Sequence, residues 1–236
     1  MPRLIFIALL LFCTPSRADE TSVRQALQAK FPRATIQSVQ KSPMAGLYEF
    51  FMERQVLYTD ETVSYVFAGK IIDTKTDMNI TDERLRVLTA IRFDTLPLDS
   101  AIKTVNGSGA RKLAVFSDPH CPFCQQMERD LALVTDITIY TFLYPIDSLN
   151  PGASEVARAI WCSPDRSKAW DDWMLRAQKP GATGACDNPV ASLQGIGRKY
   201  HIDGTPTLVF ADGTVVAQAL QLRQLEAALR IAQPQP

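Results

Sequence analysis

"LAVFSDPHCPFCQQMERDLALV", residues 113–134, joins an apolar run, two cysteines two residues apart, and a stretch with helical spacing. "LAVFS" is short and continuously apolar, the pattern of a strand buried on both faces. Beyond the cysteines, Met127, Leu131 and Val134 recur on one side of a helix. A Cys-x-x-Cys that follows a strand and opens a helix is a far more specific redox signal than the four letters alone. Cys121 would sit at the helix start, where unpaired amides and the helix dipole favour a thiolate. Pro122 suits the first turn, where its missing N–H costs nothing. Cys124, one turn further in, is better shielded and suits a resolving role.

Two other chemistries fit a Cys-x-x-Cys. A zinc site needs two more ligands; His120 is adjacent and His201 remote, and no second Cys-x-x-Cys or Cys-His pair stands at finger-like spacing. An inert disulfide across a two-residue loop would gain little from cross-linking. No metal or cofactor is therefore expected.

Downstream, "ITIYTFLYP" reads as a second strand, and residues 151–200 as mostly helical, with "SEVARAIWC" and "AWDDWMLRA" the clearest segments. "TPTLVFADGTVVAQAL" gives two strands joined by an Asp-Gly turn. "LRQLEAALRIA" closes as an amphipathic helix. Strand-helix-strand, a helical interval, then hairpin and helix is the thioredoxin order.

Upstream the pattern differs. "TSVRQALQAKF" puts Val23, Ala26, Leu27 and Phe31 on one helical face, with Thr21 or Ser22 as its cap. Short β-rich runs follow: "ATIQSV", "LYEFFME", "QVLYTD" and "TVSYVFAGKIID". A helix and a small antiparallel sheet make an α+β unit of about sixty residues, a size that often gains by dimerising. "ITDERLRVLTAIRF" then reads as a helix capped by Thr81, and "LPLDSAIKTVNGSGARK" as a connection.

The start, "MPRLIFIALLLFCTPSRADE", has Arg3, an apolar core from Leu4 to Phe12, and Ser16-Arg17-Ala18 at a cleavage point, the pattern of a secretory signal peptide over residues 1–18. Cleavage would remove Arg3, Arg17 and Cys13, leaving 23 basic and 25 acidic residues, with no basic excess to mark a nucleic-acid partner. Four cysteines would remain, Cys121, Cys124, Cys162 and Cys186; an even count in an exported chain points to disulfides, with three possible connectivities. Cys162 and Cys186 enclose 23 residues, and a bridge there would stabilise by ~3 kcal/mol. Trp161 and Trp170 read as core aromatics.

With "VLYTDE", "NIT", "AIWC" followed by "KAWDDWM", and "GTPTLVFADGT" in order around the Cys-x-x-Cys, the chain resembles the DsbC/DsbG family of periplasmic disulfide-bond isomerases over essentially all of residues 19–236. The resemblance implies a cystatin-like α+β dimerisation domain over residues 19–80, a linker helix over 81–95, and an α/β thioredoxin-fold domain with a helical insertion over 96–236. It implies a V-shaped homodimer in the periplasm, misfolded exported proteins as substrates, and a membrane-bound thiol reductase, DsbD-like, as electron donor. By position Cys121 would be the nucleophile, Cys124 its resolving partner, Thr205 and Pro206 the threonine and cis-proline beside them, and Cys162–Cys186 a structural bridge. Pro122 and Phe123 depart from the Gly-Tyr common in DsbC-like members and from the Pro-Tyr of DsbG-like ones. These two, with His120, would tune the pair's redox poise. Strong oxidases place a histidine before the second cysteine; Phe123 cannot stabilise a thiolate that way, which argues for a less oxidising pair. "LAVF" carries no carboxylate of the kind thioredoxin buries behind its cysteines, and Asp118 is the nearest acid. The alternatives to an isomerase are a holdase that binds unfolded chains and, less well supported, a thiol oxidase.

Overall fold

A computed structural model describes residues 19–232, so the expected signal peptide lies outside the described residues. The chain divides into two compact units, Met1–Leu88 and Thr89–Pro236.

The first unit opens with α1 (Glu20–Lys30), followed by β1 (Ile36–Lys41), β2 (Leu47–Met52), β3 (Gln55–Asp60) and β4 (Val66–Phe67), an antiparallel sheet in chain order. The α1 cap is Asp19, whose Oδ1 accepts from the Ser22 N–H at 2.8 Å, rather than Thr21 or Ser22. Val23 and Leu27 of α1 bury against Ile36, Val39, Tyr48, Phe50, Leu57 and Val63. The opposite face, Phe51, Val56 and Tyr58, is covered by Ile71, Leu85 and Leu88. With both faces covered, β2 and β3 are buried through their four central residues instead of alternating between buried and exposed. A short hairpin, β5 (Ile72–Asp73) and β6 (Met78–Asn79), leads into α2 (Ile80–Leu88).

The helix expected over 81–95 stops at Leu88. Ile91 leaves it because its N–H bonds to the Gly213 carbonyl at 2.9 Å and its side chain is buried in the second unit's core. Gly213 has φ +89°, and a Cβ there would meet the Ile91 oxygen at 3.0 Å, so this contact needs a residue without a side chain. Thr81 does not cap α2 either. Its hydroxyl accepts the Ile71 N–H and pairs with Tyr58 Oη at 2.7 Å, while Asn79 Oδ1 receives the Asp82 N–H.

The second unit is built on β7 (Ile102–Asn106), β8 (Arg111–Ser117), β9 (Ile137–Leu143), β10 (Thr207–Phe210) and β11 (Val215–Val216), in the order β11-β10-β8-β9-β7. In this sheet β8 and β9 run parallel and the other pairs antiparallel. The stretch read as a connection contains β7, an edge strand on which Lys103 and Val105 face solvent while Ile102 is buried. Its apolar content is too thin to stand out from a loop. Between β8 and β9 lies α3 (Pro122–Leu131); α4 (Ala153–Trp161), α5 (Arg166–Arg176) and α6 (Val190–Lys199) fill the interval before β10, and α7 (Leu222–Ile231) ends the fold.

Alternate residues of β8 serve opposite faces. Leu113 and Val115 pack under α3 and α7 with Met127, Leu131, Leu225 and Leu229. Ala114 and Phe116 pack under α6 with Phe142, Leu193 and Val209. The inserted helices α4 and α5 bury Ala157, Ile160, Trp161, Trp170 and Met174 around Cys121 and Cys124. This is the α+β unit followed by a thioredoxin-fold unit that the sequence leads one to expect.

Candidate active site

The buried end of β8 delivers Ser117 and Asp118 to the point where the chain turns into α3. Asp118 is fully buried, and its carboxylate takes three donors: the His120 N–H at 2.7 Å, the Ile146 N–H at 2.7 Å and Asn150 Nδ2 at 3.0 Å. These bonds tie the turn to the segment after β9. The Trp173 indole of α5 fixes the turn from the other side by donating to the Pro119 carbonyl at 2.7 Å.

Cys121 is the N-cap residue of α3, in extended backbone (φ −77°, ψ 120°), and Pro122 enters the first turn. The Cys121 sulfur therefore lies at the positive end of the helix dipole. Its thiol donates to the Thr205 carbonyl oxygen at 3.3 Å, and the Thr205–Pro206 peptide that follows is cis. Cys121 keeps 6% of its surface, whereas Cys124 keeps none. Burial pushes the Cys124 thiol up to about 12; hydroxyls of Ser117 and Thr205 and the Asp118 backbone partly offset this by stabilising the thiolate. Phe123, 69% exposed, projects beside the pair. His120 is half-buried, with Nδ1 3.1 Å from the Pro151 carbonyl oxygen and its ring 5.6 Å from that of Trp173.

Cys121, Cys124, Thr205, Pro206, Pro122, Phe123 and His120 thus gather around one helix end. Cys162 and Cys186 lie in the helical insertion, where they form a disulfide joining the end of α4 to the loop before α6. Among the described residues, Cys121 and Cys124 are the cysteines free of a disulfide, and no group of three or more potential metal ligands occurs.

Residues 14–82 match the family described as "Disulfide bond isomerase protein N-terminal domain", and residues 98–232 a "Thioredoxin-like domain". A "Probable thiol:disulfide interchange protein DsbC" of Bordetella parapertussis is 42% identical over 208 residues, covering 88% of this chain and 73% of that protein. The chain belongs to the DsbC family. The DsbC of Escherichia coli K12 is more distant, 26% identical over 218 residues, which cover 90% of this chain and 88% of that one. Among solved structures, a disulfide interchange protein from Neisseria gonorrhoeae is 45% identical with a TM-score of 0.57, covering 59% of this chain and all of that one. Membership of the DsbC family makes the activity thiol:disulfide interchange, in which a thiolate attacks a disulfide sulfur through a mixed disulfide.

Sequence reasoning passes over Ser117, Trp173 and Glu128. Ser117 and Trp173 have no local signal, because their partners lie on other elements. Glu128 does have one: Cys124, Met127, Glu128 and Leu131 occupy i, i+3, i+4 and i+7, so a carboxyl stands in the buried stripe of α3.

Proposed function

We propose that this DsbC-family protein reshuffles and reduces mispaired disulfides in exported proteins, with Cys121 as nucleophile and Cys124 as resolving thiol. The unequal burial of the two sulfurs carries the reading: Cys121 keeps an accessible edge at the start of α3, and Cys124 is sealed behind it. The Cys121 thiolate attacks a substrate disulfide, forming a mixed disulfide and releasing one substrate thiolate. If that thiolate attacks another disulfide in the substrate, the thiolate displaced there attacks the Cys121–substrate disulfide in turn, so Cys121 leaves as the thiolate it began as and the substrate is isomerised. If Cys124 attacks Cys121 first, the substrate leaves reduced and the pair holds the disulfide. Two electrons from an incoming dithiol, supplied by a membrane-bound thiol reductase of DsbD type, then restore it.

Thr205 and Pro206 flank the sulfur on the substrate side. Phe123 and Pro122, with no group to stabilise a thiolate as a protonated histidine does, favour a less oxidising pair, and His120 completes the rim. The Cys162–Cys186 bridge holds the insertion that packs behind the pair.

The working form is a homodimer in the periplasm, reached by cleavage after residue 18. The open edge of the first unit's sheet supports the dimer: Tyr65, Val66 and Phe67 at β4 are 69%, 43% and 50% exposed, an apolar edge suited to a second copy. By function the chain divides into a dimerisation domain over 19–80, a linker over 81–95 and a catalytic domain over 96–236, while the compact units divide within that linker, at Leu88. Thiol trapping in intact cells tests the direction of the chemistry. An isomerase keeps Cys121 and Cys124 mostly reduced; a mostly oxidised pair would make the protein an oxidase.

A further inference from the structure

Glu128 is buried on α3, and its Oε1 closes no hydrogen bond with the protein. An unpaired buried carboxyl oxygen costs stability, so it points to a partner from outside the chain. Glu128 lines a cavity of about 240 Å³ with Thr104 and Asn106 of β7, Thr141 of β9, and Trp170 and Asp171 of α5. A second carboxyl, an amide and two hydroxyl side chains thus share one space with the orphaned oxygen. A polar space of that size admits a cation with several waters.

The charge on the cavity wall is all negative. Among the described residues, Glu128 and Asp171 are the charged ones that line it, and no Lys, Arg or His does. Leu131, the last residue of α3, lines it too, so the negative end of the helix dipole lies there. Arg176, whose charge acts on Asp171, is bonded to Asp172 at 2.8 and 2.6 Å. Burial raises the Glu128 carboxyl to about 7, with the Asp171 charge adding to the effect, and burial raises Asp171 as well. Two carboxyls pushed toward protonation, with no basic side chain on the wall, gain from a positive ligand.

The donor set selects the kind of cation. No third His, Cys, Asp or Glu joins the two acids, so the set lacks the sulfur and imidazole that zinc prefers. Carboxylate, amide and hydroxyl oxygens are hard donors. Calcium takes about six to eight such oxygens in flexible geometry and completes its shell with water, whereas magnesium demands a near-ideal octahedron.

We propose that this cavity is a calcium site, in which Glu128 and Asp171 supply the charge, Asn106 and the two threonines neutral oxygens, and water the remaining ligands. The ion ties α3 and α5 to strands β7 and β9. The indole Nε1 of Trp170, which closes no hydrogen bond with the protein, donates to water in the ion's shell. The sequence gives no reason to expect such a site, because its ligands are spread over residues 104–171 on four elements. With two carboxylates the affinity falls at about 0.1–1 mM, the range of extracellular calcium modules.

The test follows thermal unfolding of the full chain at pH 8, first in chelator and then in calcium chloride up to 10 mM. Calcium should raise the midpoint by about 5 °C, and sodium chloride of equal ionic strength should not. Glu128→Gln and Asp171→Asn should each remove most of that rise, while Glu155→Gln, at an exposed position on α4, keeps it. A midpoint that calcium leaves unmoved overturns the inference and makes water the cavity's occupant. A rise that persists in both folded variants, or that sodium chloride matches, overturns it as well. Where a variant fails to fold, terbium, a calcium substitute excited through neighbouring indoles, decides in the unaltered protein. Calcium should displace its emission with a midpoint of about 0.1–1 mM, and emission that calcium leaves unchanged overturns the inference. No cysteine takes part in these measurements, so their failure leaves the proposed function standing.

Discussion

The Cys121 thiol lies 3.3 Å from the carbonyl oxygen of Thr205, a residue 84 positions later in the chain. The same threonine offers its side chain to Cys124. One residue on the loop before β10 therefore reaches both sulfurs, and it does so because β10 pairs with β8, the strand that leads into the cysteines.

Ser117, at the end of β8, is the second hydroxyl stabilising the Cys124 thiolate. A hydrogen bond to a charged group contributes about 1.5 kcal/mol or more. Ser117→Ala should slow the resolving step about tenfold, while the first attack by Cys121 keeps its rate. Mass spectrometry of quenched reactions would show the mixed disulfide accumulating; equal lifetimes in both proteins would remove Ser117 from the step.

Glu128 also sets a pH dependence of stability. Its carboxyl titrates at about 7 in the folded protein against 4.5 in the ordinary state. A raised pKa means that the folded state holds the proton more tightly, so stability is greatest below 4.5 and falls as pH rises toward 7. Glu128→Gln should therefore be more stable than the unaltered protein above pH 7, by up to about 3 kcal/mol, with the advantage gone near pH 4. Denaturant melts at several pH values would check this, and a difference independent of pH would refute it.

Within the first unit, Glu49 is buried on β2 and its carboxylate meets the Arg84 guanidinium of α2 at 2.9 Å. Removing one partner leaves an uncompensated charge, at a cost of about 3 kcal/mol or more. Arg84→Met should destabilise the unit by that order, and adding Glu49→Gln should recover a good part of the loss. A double-mutant cycle by equilibrium unfolding measures the coupling.

The Cys162–Cys186 bridge closes a loop of 23 residues between its cysteines, and a loop of that length implies about 3 kcal/mol of stabilisation. Replacing both residues by alanine should lower stability by about that amount while leaving thiol exchange at Cys121 measurable. Loss of exchange in a folded double variant would mean the bridge shapes the site as well.

Legibility in the sequence follows locality. The strand, Cys-x-x-Cys and helix of residues 113–131 can be read because each signal sits within a few residues of the next. The hairpin around Gly213 is equally plain, since an Asp-Gly turn between apolar runs is a local pattern. β7 escapes such a reading because an edge strand needs few apolar residues. The end of α2 escapes it because the hold on Ile91 comes from Gly213, more than a hundred residues away. Asp118 stands out as an acid, but its three donors include two from the segment after β9, and no spacing rule announces them. Glu128 is within reach of the sequence, as the one carboxyl in the buried stripe of α3.

Reactivation of scrambled ribonuclease is the most direct measurement of the central claim. The unaltered protein should restore ribonuclease activity, and Cys121→Ala should abolish that restoration while keeping its fold. A Cys121→Ala protein that reactivates the substrate at the unaltered rate would contradict the account.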